Sequence, residues 1–205
     1  MLQNPKTEII LASNSSGRAS LLQGAGINFI KKAADLDERA IEETLTVNGV
    51  APDPVEVAKV LAGAKAETIS RENNKAYVIG ADQVLALETK IFEKPATMEI
   101  ARNNLLKFRG KTHYLHAAIC VAKNGKTIWQ HSESAHMTMR DFSTDFLEDY
   151  LLGAGDSVKT SVGAYRLEET GIHLFEKIEG SYFTILGLPL LPLLDFFREQ
   201  EIVAR

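Results

Sequence analysis

Three acidic side chains occupy places in the sequence where a carboxylate can meet a ligand. Asp82 follows the apolar residues 78–81 in VIGADQV, and Asp37 and Glu38 are adjacent in DLDER. A buried carboxylate is unfavourable unless a cation pairs with it, and carboxylates near phosphate commonly bind Mg²⁺ or orient water. Asp82 is therefore a candidate magnesium ligand or base, with a turn or cap aspartate as the alternative. For Asp37 and Glu38 the alternative is an exposed acidic loop.

Basic residues in three separate segments are candidate phosphate ligands. Arg18 lies in LASNSSGRASLL, residues 11–22, where hydroxyl residues and glycine precede a short apolar helix pattern. Free backbone N–H groups at such a helix start bind anions, and an ordinary helix N-cap is the alternative. Lys65 in LAGAKAE shares a helical face with apolar residues, and Lys94 in FEKPA is held extended by the following proline. Several such cations neutralise a polyphosphate, whereas snorkelling to solvent is an equal alternative for Lys65.

Two other patterns do not predict a binding site. GAGDSVKTS, residues 153–161, is similar to a phosphate-binding P-loop, but Val158 stands where that loop requires glycine. The histidine pairs lack a metal-binding spacing: His113 with His116, and His131 with His136. We therefore expect no zinc site. The single cysteine, Cys120, excludes a disulfide framework within the chain and fits a reducing cytoplasm.

Composition limits the class of protein. The 205 residues are 45% hydrophobic and carry a formal net charge of −4, which predicts one globular domain over residues 1–205. The acidic balance disfavours a nucleic acid polymer as partner but permits a local basic pocket for a mononucleotide. The N-terminus has no signal-peptide pattern, and the longest apolar segment, TILGLPLLPLLDFF, is too short and interrupted for a membrane span. We expect a cytoplasmic protein without a membrane partner.

Apolar periodicity and turn residues predict the elements that position these side chains. Strands are predicted at EIILA, INFIKKAAD, AYVIGADQVLAL with an interruption at Gly80, GIHLFEKIEG and YFTILGLP. Helices are predicted over SSGRASLLQGAG and residues 54–71, 98–108, 142–152 and 190–199. The helix over residues 98–108 is predicted to bury Ile100, Ala101, Leu105 and Phe108.

Two hairpins complete the predicted pattern. One joins AYVIGADQVLAL to ETKIFEKP, and the other joins THYLHAAICVA to TIWQHSESAHMTMR through Asn124 and Gly125, which suit a type I′ turn. Helices alternate with strands near the chain ends, and hairpins lie between them. The sequence therefore predicts an α/β fold with a mixed sheet.

A series of separated blocks resembles the Maf family of nucleoside triphosphate pyrophosphatases, in the family's order. The blocks are LASNSSGRASLL, DE at Asp37 and Glu38, LAGAKAE, GADQV, EKP, GKTH, GIHLFEKIEG and LGLPL. The resemblance implies an elongated mixed β-sheet flanked by helices, an α/β fold related to inosine triphosphatases with a central nucleotide-binding cleft. It also implies a homodimer, and hydrolysis between the α and β phosphates with a divalent metal, Mg²⁺ or Mn²⁺. The implied products are a nucleoside monophosphate and pyrophosphate.

The resemblance also implies roles for individual residues. Four residues match positions that hold phosphate: Ser13, Arg18, Lys65 and Lys94. Two carboxylates match positions that bind the metal and activate water: Glu38 and Asp82. Asp82 is the implied proton acceptor.

Three positions bear on the choice of base. Gln83 and Glu168 are similar to the family branch that acts on 7-methyl-GTP, whereas the dTTP and UTP branch usually has Thr and Gln there. A carboxylate accepts hydrogen bonds from N1–H and the 2-amino group of guanine, while uracil and thymine offer one ring N–H. A solvated acidic turn beside Glu169 is the alternative for Glu168. Gly17 stands where that branch often has tryptophan, whose aromatic face would favour a methylated, cationic purine.

We therefore expect a metal-dependent pyrophosphatase that acts on non-standard or methylated nucleoside triphosphates, with a preference for 7-methyl-GTP. One alternative is a dTTP and UTP pyrophosphatase. Another is a nucleotide-binding regulator of cell division with little turnover. The regulator is motivated by the substituted loop at Ser16 and Gly17 and by Glu93, which adds a negative charge beside Lys94.

Overall fold

The computed structural model describes residues 2–46, 49 and 51–204. This part of the chain divides into two compact units, each built from separate stretches of sequence. The first unit contains the chain up to Gln83, His116–Glu133, and the chain from Ser181 onward, and the second contains Val84–Leu115 and Ser134–Gly180. Both end residues of the predicted domain 1–205 lie outside the described residues. A single domain stays a prediction.

The described residues form one seven-stranded mixed sheet. The strands are β1 Ile9–Leu11, β2 Ile30–Lys31, β3 Tyr77–Leu87, β4 Lys90–Phe92, β5 Thr112–Lys123, β6 Lys126–Met139 and β7 Phe175–Glu179. Six of them follow the order β2-β1-β3-β5-β6-β7, and the seventh, β4, pairs with β3. β1 is parallel to β2 and β3, whereas the β3–β4 and β6–β7 pairs are antiparallel. The α/β fold with a mixed sheet is confirmed.

Helices connect and follow these strands. They are α1 Ser16–Gly24, α2 Glu38–Leu45, α3 Pro54–Glu72, α4 Met98–Phe108, α5 Thr144–Ala154, α6 Tyr182–Ile185 and α7 Leu190–Glu199. Polar side chains cap α1 to α5 by accepting hydrogen bonds from free backbone N–H groups of the first turn. The predicted helices over residues 54–71, 98–108 and 190–199 are confirmed. Each helix of the described residues is too short or too polar to span a bilayer.

The core of the first unit packs β1, β3 and α7 together. Ile9, Ile79 and Phe197 belong to one buried cluster, and Trp129 of β6 stacks on Phe196 with ring centroids 5.0 Å apart. Burial of large apolar side chains is the main favourable term in folding. This core fixes the backbone from which the candidate site residues of β3 and α1 project.

Gly80 allows α3 to lie directly against β3. A Cβ atom on Gly80 would lie 2.1 Å from the carbonyl oxygen of Ala62 and 2.7 Å from the backbone nitrogen of Ala66. The strand is continuous at Gly80, so the predicted interruption is wrong. The glycine serves instead for close contact between backbones. Since Lys65 lies between Ala62 and Ala66 in α3, this contact sets the distance of Lys65 from the strand.

An aromatic cluster forms part of the core of the second unit. Phe108 stacks on His113 with ring centroids 4.9 Å apart, and His113 Nε2 forms a 2.8 Å hydrogen bond with Tyr165 Oη. Burial lowers the pKa of the His113 imidazole to about 3, and burial raises the pKa of the Tyr165 phenol. Both side chains are therefore neutral at physiological pH and act as packing residues.

Two apolar segments differ from prediction. The segment YFTILGLP, predicted as a strand, forms α6 and a turn in which Gly187 adopts a φ of 86°. Its aromatic and β-branched residues satisfy a strand pattern, but strand preference depends on context, and here the Thr184 hydroxyl donates to Glu133 from within a helical turn. Ile100, predicted to be buried, is 43% exposed on α4.

Two polar segments also differ from prediction in detail, and a third takes the form of helix. DLDER begins α2 rather than forming a loop, and Asp37 caps this helix by accepting from the Ala40 N–H group at 3.0 Å. GIHLFEKIEG starts as the 3₁₀ helix Thr170–Leu174 and becomes extended only at β7. The P-loop-like residues 153–161 end α5 and continue as the 3₁₀ helix Gly155–Thr160.

Candidate active site

Arg18 is fixed at the start of α1 by backbone and side-chain oxygens. Ser15 caps the helix and accepts from the Arg18 backbone N–H group at 3.3 Å. The guanidinium donates from Nε to Gly187 O and from Nη1 to Ala81 O, both at 2.8 Å, and Nη1 also donates to Ser13 Oγ at 3.1 Å. In the described part of the chain Nη2 has no acceptor, so its two N–H groups remain for an anion.

Burial and two nearby carboxylates have opposite effects on the pKa of Arg18. Loss of water lowers the pKa of the Arg18 guanidinium, and the carboxylates of Asp82 and Glu38 oppose that shift. Arginine begins far above neutral pH and stays charged in proteins. The structure therefore places a permanent positive charge within electrostatic range of two carboxylates.

Lys65 lies between the two predicted metal-binding carboxylates. Its Nζ atom is 2.6 Å from Asp82 Oδ1 and 2.9 Å from Glu38 Oε1. The side chains of Lys65 and Asp82 are only 12% and 11% exposed, whereas that of Glu38 is 49% exposed. Snorkelling into bulk water therefore does not describe Lys65. Two negative groups converge here because a cation stands between them.

This pair of carboxylates has donor chemistry that fits a divalent metal. Mg²⁺ prefers oxygen ligands and, beside substrate phosphates, is usually held by one or two carboxylates. Among residues 2–46, 49 and 51–204, no group of three or more His, Cys, Asp or Glu side chains could hold a metal ion. An ion at Glu38 and Asp82 would complete its coordination with water and phosphate oxygens.

Gln83 is oriented by the carbonyl groups of α6. Its Nε2 atom donates to Thr184 O at 2.8 Å and to Ile185 O at 3.0 Å. Thr184 is fully buried, and its hydroxyl donates to the Glu133 carboxylate. Thr184 and Glu133 are not predicted from the sequence, because their only signal there is a single hydroxyl within an apolar run. With its amide N–H groups used, Gln83 presents its oxygen as the remaining polar atom.

Gly17 leaves space beside Arg18. A Cβ atom on Gly17 would meet Leu186 O and Ser15 Oγ at 3.8 Å, which is ordinary van der Waals contact. The backbone of Gly17 therefore does not require glycine. A larger side chain is therefore sterically permitted at its first atom, and the role of Gly17 in substrate choice stays a prediction.

Two predicted site residues lie in the second unit. Lys94 is exposed and follows β4, with Glu93 exposed beside it. Glu168 is an exposed residue of a turn, where its Oε1 atom accepts from Arg166 Nη2 at 2.9 Å, so the solvated acidic turn stays an alternative to a role in base selection. The first unit, by contrast, brings together Arg18 with Ser13, and Lys65 with Glu38 and Asp82.

Comparison with known proteins gives consistent matches over nearly the whole chain. The family described as Maf-like protein matches residues 8–200. A 7-methyl-GTP pyrophosphatase of Brucella suis biovar 1 (strain 1330) is 51% identical over 196 residues, which cover 96% of this chain and 98% of that protein.

Two further relatives have the same coverage pattern. A 7-methyl-GTP pyrophosphatase of Bartonella henselae is 47% identical over 195 residues, which cover 95% of this chain and 96% of that protein. A nucleoside triphosphate pyrophosphatase of Bradyrhizobium diazoefficiens is 47% identical over 199 residues, which cover 97% of this chain and 96% of that protein. Every predicted site residue falls within residues 8–200.

Proposed function

This chain belongs to the Maf-like protein family, and we propose that it is a nucleoside triphosphate pyrophosphatase with a preference for 7-methyl-GTP. The observation that carries the proposal is Lys65 between Glu38 and Asp82, with the Arg18 guanidinium in electrostatic range. These groups supply cations for a polyphosphate and carboxylates for a metal and for a water molecule. The names of the relatives support the same activity.

The residues divide the work of hydrolysis. A water oxygen bonds to the α phosphorus, the bridging P–O bond between the α and β phosphates breaks, and pyrophosphate leaves. Asp82 accepts the proton of the attacking water on a carboxylate oxygen. Arg18 Nη2 and Lys65 Nζ bind phosphate oxygens and oppose the negative charge of the transition state. A divalent ion held by Glu38 and Asp82 would supply Lewis-acid polarisation of the phosphate oxygens when bound.

A product-resolved assay tests this proposal. The protein is incubated with GTP, 7-methyl-GTP, dTTP and UTP in the presence of Mg²⁺ or Mn²⁺, and chromatography separates the products. We expect pyrophosphate and the nucleoside monophosphate, most rapidly from 7-methyl-GTP. Release of orthophosphate would contradict the cleavage position, and binding without any turnover would favour the regulator instead.

Removal of divalent metal is expected to lower the pyrophosphatase rate by about 100-fold or more, because metal ions contribute several kcal/mol of charge stabilisation. The protein is dialysed against a chelator, assayed, and then supplied with Mg²⁺ or Mn²⁺. The rate should return on addition while the circular dichroism spectrum stays constant. Full activity after exhaustive chelation would show that Glu38 and Asp82 work without a metal.

The Glu168→Gln variant is expected to lower the ratio of kcat/KM for GTP over UTP by about 10- to 100-fold, the worth of a hydrogen bond to a charged group. An amide loses the second acceptor that the two guanine donors need. Glu176→Gln removes an exposed carboxylate of β7 and is the matched control. An unchanged ratio in the Glu168 variant would remove Glu168 from base selection.

We also propose that the protein is a cytoplasmic homodimer, as the family resemblance implies. The buried free thiol of Cys120 is compatible with a reducing compartment. Light scattering coupled to gel filtration measures the assembly, and a monomer at working concentration would refute the dimer.

A further inference from the structure

Arg166 joins two consecutive carboxylates. Its Nε and Nη2 atoms donate to Oε1 of Glu168 at 3.1 and 2.9 Å, and its Nη1 atom contacts Oε1 of Glu169 at 2.7 Å. Across the residues that the structure describes, Oε2 of Glu168 accepts no hydrogen bond from the protein. The guanidinium therefore holds one oxygen of Glu168 and leaves the other available.

The backbone that carries Arg166 is itself fixed. Tyr165 and Leu167, on either side of it, are buried, and Tyr165 is hydrogen-bonded to His113. A Cβ atom on Gly171 would lie 2.5 Å from the Arg166 carbonyl oxygen, so the turn closes tightly on this residue. Arg166 thus extends from a rigid position. The two hydrogen bonds from Arg166 in turn restrict rotation of the Glu168 carboxylate.

We propose that Arg166 is a positioning residue for base selection, because it holds Oε1 of Glu168 and thereby aims Oε2 at the donor edge of a guanine-type base. The inference rests on the proposed function, in which Glu168 selects the base. Guanine presents N1–H and 2-amino donors on one edge, and a carboxylate already oriented before binding loses less conformational freedom on meeting them. Uracil gains less from the same orientation because it offers one ring donor.

The choice of arginine matters for this role. Its planar fork lets Nε and Nη2 share Oε1 of Glu168 while Nη1 engages Glu169. A lysine would keep the charge but offers a single flexible donor group. Arg166→Lys is therefore expected to restore only part of the selectivity that Arg166→Gln removes.

Equilibrium binding of uncleavable nucleotides tests the inference apart from turnover. Calorimetry measures the affinities of the α,β-methylene analogues of GTP and UTP, with Mg²⁺, for the full-length protein. We expect Arg166→Gln to lower the affinity ratio of the guanine over the uracil analogue by about 10-fold. In a Glu168→Gln background the same change should alter the ratio by less than about 2-fold, because Arg166 acts through Glu168. Arg102→Gln, which removes an arginine paired with Glu148 in the same unit, is the control.

Each outcome has a separate meaning. An Arg166→Gln variant with the wild-type affinity ratio would overturn the inference. So would equal effects of that change in the wild-type and Glu168→Gln backgrounds, since they would show that Arg166 acts on the fold and not through Glu168. Failure of the proposed function is detected independently, as absence of pyrophosphate release by the wild-type protein from any nucleotide.

Discussion

The Asp82→Asn variant is expected to lose about 10³-fold in kcat while it still binds nucleoside triphosphates. General base catalysis contributes roughly 10²- to 10⁴-fold, and an amide cannot accept the proton of an attacking water. The change preserves the shape of a side chain that is 11% exposed and lies 2.6 Å from Lys65 Nζ. Lys65 keeps its contact with Glu38 at 2.9 Å, so a cation remains for phosphate binding.

A matched variant separates loss of catalysis from loss of a salt bridge. Asp156 pairs with Lys159 at 2.7 Å but its side chain is 85% exposed, so Asp156→Asn removes an aspartate–lysine pair without a catalytic group. Steady-state kinetics should show wild-type kcat for Asp156→Asn. Calorimetry should show nucleotide binding by both variants. If Asp82→Asn retained wild-type turnover, another group would have to be the proton acceptor.

Periodicity predicted the framework of the site well. The nineteen residues of α3 carry an apolar face and a proline at the first turn, and both signals act within one segment. The predicted turn at Asn124-Gly125 also agrees with the structure, where the two residues adopt the positive φ values of a type I′ turn, 52° and 75°. Local chemistry decides such elements, so sequence alone identifies them.

The segment that forms α6 shows where local chemistry is insufficient. Its apolar run predicts a strand, yet the segment is helical, and Thr184 within it contacts Glu133, 51 residues away in the sequence. The carbonyls of Thr184 and Ile185 then orient Gln83, and that of Gly187 orients Arg18. Contacts between residues so distant in sequence leave no periodic signal.

The same reason limits prediction of the site itself. Glu38, Lys65 and Asp82 are separate candidates in the sequence, and no local pattern indicates that their charges meet. The structure shows Lys65 Nζ in contact with both carboxylates, which makes the ammonium part of the charge balance of the site. A buried carboxylate without such a partner would be strongly unfavourable. The pairing therefore explains how the Asp82 side chain is accommodated in a largely buried position.

The Gly80→Ala variant is expected to destabilise the fold by about 3 kcal/mol, at the upper end of the usual cost of overpacking. The added methyl group would lie 2.1 Å from Ala62 O and 2.9 Å from Ala66 Cβ. The first of these atoms belongs to the helix backbone, so no side-chain rotation relieves the clash. Either α3 moves away from β3 as a body or the strand bends.

Movement of α3 reaches the site because Lys65 lies between the two clashing residues. Its contact with Asp82 is 2.6 Å long, and a shift of the helix away from the strand lengthens it. We therefore expect the folded fraction of Gly80→Ala to show reduced turnover as well as reduced stability. Urea denaturation followed by circular dichroism gives the stability, and the pyrophosphate assay on the same preparation gives the rate.

Gly63→Ala, a substitution in α3, distinguishes the clash at Gly80 from a general effect of replacing glycine. A Cβ atom on Gly63 would meet only Gln130 Nε2, at 3.8 Å, so alanine fits there and raises helix stability by up to about 1 kcal/mol. The two substitutions add the same methyl group to adjacent, contacting elements and should shift the urea midpoint in opposite directions. If the Gly80→Ala and Gly63→Ala variants had equal urea midpoints, α3 and β3 would tolerate a wider separation. The position of Lys65 beside Asp82 would then depend on the attraction of their charges and not on the close contact at Gly80.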